Sequence, residues 1–150
     1  MGCNGEERRS EEQDGSLAST KRQRLRILIV DDDDGVLRCL ARLFSVHEVF
    51  KAAGYVAAEQ ALRDPGVWLD LVVSDYRMPG RNGVDVLLAA SRIQPVAVRV
   101  LLTSAPPADI EELIAAGVIH SCVLKPFTPA LAGRLEAMVR SHRVAGPAAE

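Results

Sequence analysis

The chain has 150 residues, 48% of them apolar and 25% charged, and carries a net charge of −2. That length holds one domain with a real core, and the composition is ordinary for a globular protein. The near-neutral balance excludes a global electrostatic preference for nucleic acid, and no apolar run approaches the roughly 20 residues of a membrane span. The three cysteines, Cys3, Cys39 and Cys122, and the three histidines, His47, His120 and His142, are scattered. They form neither a metal-binding spacing nor a disulfide framework, which fits a reducing, cytoplasmic setting. The opening MGCNGEERRSEEQDG has no apolar stretch and is not a secretory signal. A myristoylation site wants Ser or Thr at position six, where this chain has Glu6.

Residues 1–24 read as a disordered polar tail, acidic first (Glu6, Glu7, Glu11, Glu12, Asp14) and basic later (Lys21, Arg22, Arg24). From Leu25 to Arg143 the chain alternates short apolar runs with helical patterns, and residues 144–150 read as a flexible C-terminal tail. The runs LRILIV (25–30), LDLVVS (69–74), RVLLT (99–103) and SCVLK (121–125) have the aliphatic, β-branched character of buried strands. HEVFKA (47–52) is weaker and reads as an edge strand. Val36, Leu37, Leu40, Leu43 and Phe44 keep the spacing of one helix face. So do Val84, Leu87 and Leu88, and Ile110, Leu113 and Ile114. Leu131, Leu135, Met138 and Val139 mark a last helix, with Thr128 as its N-cap and Pro129 in its first position. Segment 55–63 is Ala-rich and weakly amphipathic, and Gly117 closes the fourth helix. Alternation of this kind predicts an α/β fold, a doubly wound five-stranded parallel sheet with helices on both faces. In such sheets ligands sit beyond the carboxyl ends of the strands.

Those strand ends hold the chemistry-bearing residues. Strand one runs into Asp31, Asp32, Asp33 and Asp34, strand three ends at Ser74 and Asp75, strand four at Thr103 and Ser104, and strand five at Lys125. Four successive carboxylates repel one another, each close pair by about 1 kcal/mol in water and about 4 kcal/mol at an effective dielectric near 20. A helix N-terminus accounts for one or two of them. A hard divalent cation such as Mg²⁺, held by Asp31 and Asp32, accounts for the others. Asp75 is then placed to attack phosphorus and become an acyl phosphate, with Thr103 and Lys125 binding the phosphoryl oxygens. A carboxylate nucleophile is already deprotonated at neutral pH, so no general base is needed.

The four blocks ILIVDDDDGVL, LVVSDYRMPGRNGVDVL, VLLTSAPP and CVLKPF together resemble the receiver domain of two-component response regulators, across about residues 25–143. The resemblance implies the flavodoxin-like strand order 2-1-3-4-5. It implies Asp75 as phosphoacceptor, Asp31 and Asp32 as the Mg²⁺-binding pair, the backbone carbonyl of Arg77 as a further ligand beside Asp75, and Thr103 and Lys125 as phosphate contacts. It also implies a cis Lys125–Pro126 bond and a histidine kinase or phosphotransfer protein as donor. A downstream protein partner or a second copy would read the signal. The third and fourth aspartates, Asp33 and Asp34, are left to start the first helix. Receivers usually carry Tyr or Phe three residues before the lysine, a ring whose placement reports the state of the site; here that position is Cys122.

Two other readings compete. DDDGVL also matches the D-x-D-G opening of haloacid-dehalogenase-type phosphatases, with Asp32 as nucleophile and Asp34 as acid/base, but nothing after Lys125 supplies that family's further acidic motif. The other is a receiver-like interaction module that is never phosphorylated.

Overall fold

The computed structural model describes residues 24–145. The sequence-predicted N-terminal tail, as far as residue 23, and residues 146–150 of the C-terminal tail lie outside them. In chain order the elements are β1 (Arg26–Val30), α1 (Asp34–Leu43), β2 (Glu48–Ala52), α2 (Tyr55–Arg63), β3 (Leu71–Asp75), α3 (Gly83–Ile93), β4 (Val98–Thr103), α4 (Ile110–Ala115), β5 (Ser121–Leu124) and α5 (Ala130–Ala145). All strand pairings are parallel, in the order β2-β1-β3-β4-β5. The weak run at 47–52 is therefore an edge strand, and β5 forms the other edge.

Alternation along each strand divides the core in two. Ile27 and Ile29 of β1, with Leu71, Val73, Val100 and Leu102, pack against Leu37, Leu40 and Phe44 of α1 and its end and Leu131, Leu135 and Val139 of α5. Leu28 and Val30, with Val72 and Leu101, pack against Ala58 and Leu62 of α2 and Val86, Leu87 and Ala90 of α3. Both faces of the sheet are thus covered, and near-continuous apolar runs are what such strands require.

Two helices differ in detail from the sequence reading. Helix α5 continues to Ala145, two residues past the expected end, because Val144 and Ala145 are tolerated in a helix and the first breakers are Gly146 and Pro147. Helix α4 spans six residues and buries none of them. Ile110 and Leu113 reach the second core cluster only as partly buried neighbours. Gly117 ends that helix in the left-handed region, at φ 80°. At α5 the Thr128 hydroxyl accepts from the Ala130 N–H at 3.3 Å, as the expected cap should.

Candidate functional site

Strand register places the site residues in two adjacent rows. Val30 pairs with Ser74, so Asp31 follows at the level of Asp75, which itself pairs with Leu102. Thr103 pairs with Leu124, so Thr103 and Lys125 stand at or just past the end of the sheet. One oxygen each of Asp31, Asp32 and Asp75 lies within 4.8 Å of the others. Lys125 Nζ donates to Asp75 Oδ1 at 2.9 Å and to Asp31 Oδ2 at 3.5 Å. The Lys125–Pro126 bond is cis.

The four aspartates of the opening stretch have four different environments. Asp31 is 2% exposed. Its Oδ1 accepts the Asp33 N–H at 2.8 Å, while Oδ2 faces Lys125. Asp32 is exposed at the rim of the cluster. Asp33 is the N-cap of α1, accepting from Gly35 N at 2.8 Å and Val36 N at 3.3 Å. Asp34 begins the helix and pairs with Arg38 one turn on, at the surface. The cap belongs to Asp33 alone, and Asp34, expected to share it, makes a helix-surface ion pair instead. The Asp32/Asp34 couple required by the phosphatase reading is split between the cluster and the outside of a helix.

Electrostatics mark the cluster as short of positive charge. Burial raises the Asp31 carboxyl above its ordinary value, and Asp75 adds to the effect; the Asp33 N–H and Lys125 oppose it without cancelling it. Burial pulls the Lys125 ammonium down, but its hydrogen bond to Asp75 and the charges of Asp31 and Asp75 outweigh that and raise it overall. Three carboxylates thus share one ammonium. The chemistry of this donor set, three carboxylate oxygens gathered within 4.8 Å of one another, suits a hard divalent cation.

The other expected residues sit nearby with different partners. Thr103 is buried. Its hydroxyl accepts from Ala105 N at 3.1 Å and reaches Ala105 O at 3.3 Å, so it is engaged with the following loop rather than with Asp75. Arg77 is exposed, with its guanidinium 5.5 Å from the Tyr76 ring. Beside Lys125 a groove of about 450 Å³ opens between Val36 and Cys39 of α1, Ser104, and Pro126 and Phe127.

Two residues behind Asp75, Ser74 and Gly83, were given no role by the sequence reading. Ser74 is fully buried and donates its hydroxyl to the Asp75 carbonyl at 2.9 Å. Gly83 starts α3 directly against Asp75: a Cβ there would lie 2.0 Å from the Asp75 carbonyl oxygen. The Gly83 N–H donates to Tyr76 O at 2.8 Å, and the Asn82–Asp85 capping box fixes the helix start. The signal available was the Asn-Gly step just before an apolar helical pattern.

The model of the response regulator receiver domain family matches residues 27–139. Over 111 residues the chain is 32% identical to the hydrogenase transcriptional regulatory protein HoxA of Cupriavidus necator, covering 69% of this chain and 21% of that protein. The chain therefore spans about a fifth of that relative's length. Among solved structures, it is similar to a CheY-like receiver domain protein from Methanospirillum hungatei, with TM-score 0.74 and 21% identity over 83% of this chain and all of that one. It is also similar to the signal receiver domain of an HD domain-containing protein from Pseudomonas fluorescens, with TM-score 0.72 and 26% identity over 83% and 93%. With the strand order and the acidic cluster at the strand ends, the match over most of its length shows that the chain belongs to the response regulator receiver domains, the phosphoacceptor signalling modules of two-component systems.

Proposed function

We propose that Asp75 is the phosphoacceptor, that Asp31, Asp32 and Asp75 together with the Arg77 carbonyl hold Mg²⁺, and that Lys125 and Thr103 bind the phosphoryl group. The observation that carries this reading is the contact of Lys125 with Asp75 inside a cluster of three carboxylates that lacks balancing charge.

A free Asp75 oxygen attacks the phosphorus of a phosphohistidine on a histidine kinase or phosphotransfer protein. The new bond is an acyl phosphate O–P bond, the bond that breaks is N–P, and the electron pair leaves with the imidazole, which the partner reprotonates. Lys125 neutralises one negative charge of the incoming group and keeps the Asp75 carboxylate in place beforehand. Bound Mg²⁺ supplies the remaining charge neutralisation for the phosphoryl oxygens. Thr103 must give up its contact with Ala105 to donate to the phosphoryl group, and this links occupancy of the site to the loop after β4. The groove beside Lys125 leaves a path for a protein donor along α1. The reading carries cytoplasmic placement with it, and no described helix is long and apolar enough to cross a membrane. A downstream protein or a second copy would read the changed surface.

The test is intact-mass measurement after incubation with acetyl phosphate. Wild type should gain one phosphoryl group with Mg²⁺ and none with excess chelator, and Asp75→Asn should gain none in either condition. Phosphorylation of Asp75→Asn to the wild-type level would overturn the assignment, and loss of labelling in Asp32→Asn alone would return the phosphatase reading.

A further inference from the structure

The loop 76–82, between β3 and α3, carries the Arg77 carbonyl proposed above as a metal ligand. Its ends are well fixed: Asp75 closes β3, and the Gly83 N–H returns to the Tyr76 carbonyl at 2.8 Å. Between them Met78 is buried in the second core cluster, and Gly80 turns the chain in the left-handed region at φ 79°. Among the described residues no backbone–backbone hydrogen bond involves residues 77–81. Side-chain packing, not a backbone ladder, therefore fixes where the Arg77 carbonyl stands. Past Gly80, Arg81 reaches a different element. Its guanidinium lies 4.0 Å from the centre of the Tyr55 ring, well inside the range of a cation–π contact. Its Nε faces Asp85 Oδ2 at 4.0 Å, the oxygen that accepts the Asn82 N–H at the start of α3. Tyr55 is the first residue of α2 and packs, partly buried, against the second core cluster. Just before it, the Ala52 carbonyl accepts the Asp31 N–H at 3.1 Å. By contrast, the contact of Arg77 with Tyr76 joins two neighbours inside the loop.

We propose that Tyr55 is a positioning residue for the phosphoryl-transfer site: its ring holds Arg81, and through Arg81 it fixes the loop that presents the Arg77 carbonyl. This role rests on the metal and phosphoacceptor assignment above. A small hard cation demands defined ligand positions, so a loop free to wander costs metal affinity before it costs the chemical step. Tyr55 acts through Arg81 and has no part in the transfer itself. The contact is made by the ring face, so the ring is needed and the hydroxyl is not. The Arg81 side chain is 60% exposed, which puts the contact at the weaker end of its class, an effect of about threefold on an equilibrium. The rival role for Arg81 is to attract the anionic phosphoryl donor directly. A guanidinium already seated over a ring and beside a carboxylate is poorly placed for that.

Two measurements on the full chain test this: the Mg²⁺ Kd by titration calorimetry, and the rate of Asp75 labelling by acetyl phosphate as Mg²⁺ is raised. Tyr55→Leu should raise the Kd and the half-saturating Mg²⁺ about threefold and leave the rate at saturating Mg²⁺ unchanged. Tyr55→Phe should match wild type in both. Arg81→Met, at an exposed position where folding is not at risk, should reproduce Tyr55→Leu. The double variant should be no weaker than either single one, because both remove the same contact. A wild-type Kd in Tyr55→Leu, a loss in Tyr55→Phe equal to that in Tyr55→Leu, or losses that multiply in the double variant would each overturn the role of Tyr55. A slower rate at saturating Mg²⁺ in Arg81→Met alone would also overturn it and assign Arg81 to the donor. Failure of the underlying assignment looks different: wild type would bind no Mg²⁺, or bind it equally well after Asp32→Ala.

Discussion

At the residue scale, the aspartate quartet shows how position within a few ångströms changes the role of one residue type. Asp33→Ala removes two hydrogen bonds to the start of α1 and should cost about 1 kcal/mol in a urea titration, with Mg²⁺ affinity little changed. Asp34→Ala breaks only an ion pair whose partners are 77% and 62% exposed, and should cost less than about 0.5 kcal/mol. Asp32→Ala should leave stability nearly intact and weaken Mg²⁺ binding strongly. A metal titration in which Asp34→Ala loses binding and Asp32→Ala retains it would reverse these assignments. Asp31 behaves differently again. Its raised pKa means the folded state disfavours the ionised form, so its charge destabilises the metal-free protein above that pKa, and the penalty fades as pH falls through it. Asp31→Asn should therefore stabilise the metal-free protein at neutral pH by on the order of 1 kcal/mol, a functional charge exchanged for stability. Thermal melts at neutral and acid pH with chelator present check this: the gain should shrink toward acid pH, while Mg²⁺ should stabilise wild type and not the variant.

At the element scale, the site depends on how helix and strand ends are held. Gly83 lets α3 start in contact with the Asp75 carbonyl, so Gly83→Ala must push the helix or the strand end aside. The expected cost is about 2–3 kcal/mol of stability, with slower labelling of Asp75 by acetyl phosphate. Normal labelling in a fully stable variant would show that the contact relaxes freely. Strand β5 carries Cys122, partly buried against the second core cluster and paired with Leu101. A thiol that small has no large ring to report the state of Thr103 at the surface. The hydroxyl of Thr103 is tied instead to Ala105, so phosphorylation should move residues 104–108 more than residues 120–123. Amide exchange with and without a beryllofluoride adduct on Asp75 tests this, and a larger change at 120–123 would refute it. Cys122→Tyr should enlarge the surface response and leave the labelling rate unchanged.

Across the whole molecule, the end of the sheet remote from the site is pinned by a repeated device. The residue just before each of three strands uses its side chain to accept a backbone N–H next door. His47 Nδ1 accepts from Leu25, Asp70 Oδ2 from Arg26, and His120 Nδ1 from Arg99, at 3.0, 2.7 and 2.9 Å. An imidazole that accepts at Nδ1 carries its proton on Nε2, and His47 Nε2 faces Glu136 of α5 at 2.8 Å. The buried Arg99 guanidinium adds hydrogen bonds to the carbonyls of Pro95, Ala97, Gly117 and Val118. Burial, with the charges of Arg99 and His142, lowers His120 from 6.5 to about 4. The unfolded chain thus takes up the proton at a higher pH than the folded one. The stability from this group is complete above about 6.5 and is lost as pH falls toward about 4. Denaturant midpoints should drop across that window in wild type and less steeply in His120→Asn. Equal slopes would place the acid sensitivity elsewhere.

Much of this protein was decided locally, and the sequence alone carried it. The four aliphatic runs with the weaker one at 47–52, the helix periodicities between them and the order of acid, acid, hydroxyl and lysine at the strand ends specify a parallel sheet with one reactive end. These features depend only on residues close together in the chain, where alternation and 3.6-residue spacing are visible. The edge position of β2 was legible for the same reason, from its weaker apolar run. Other features needed the folded molecule. Which aspartate caps α1 and which faces Lys125 depends on the turn after β1. The role of Gly83 depends on a helix arriving against a strand end. The histidine clamps join residues about twenty positions apart, and helix α4 keeps its apolar residues only partly buried. Each is set by the distance between separate elements, and no pattern within one element encodes that distance.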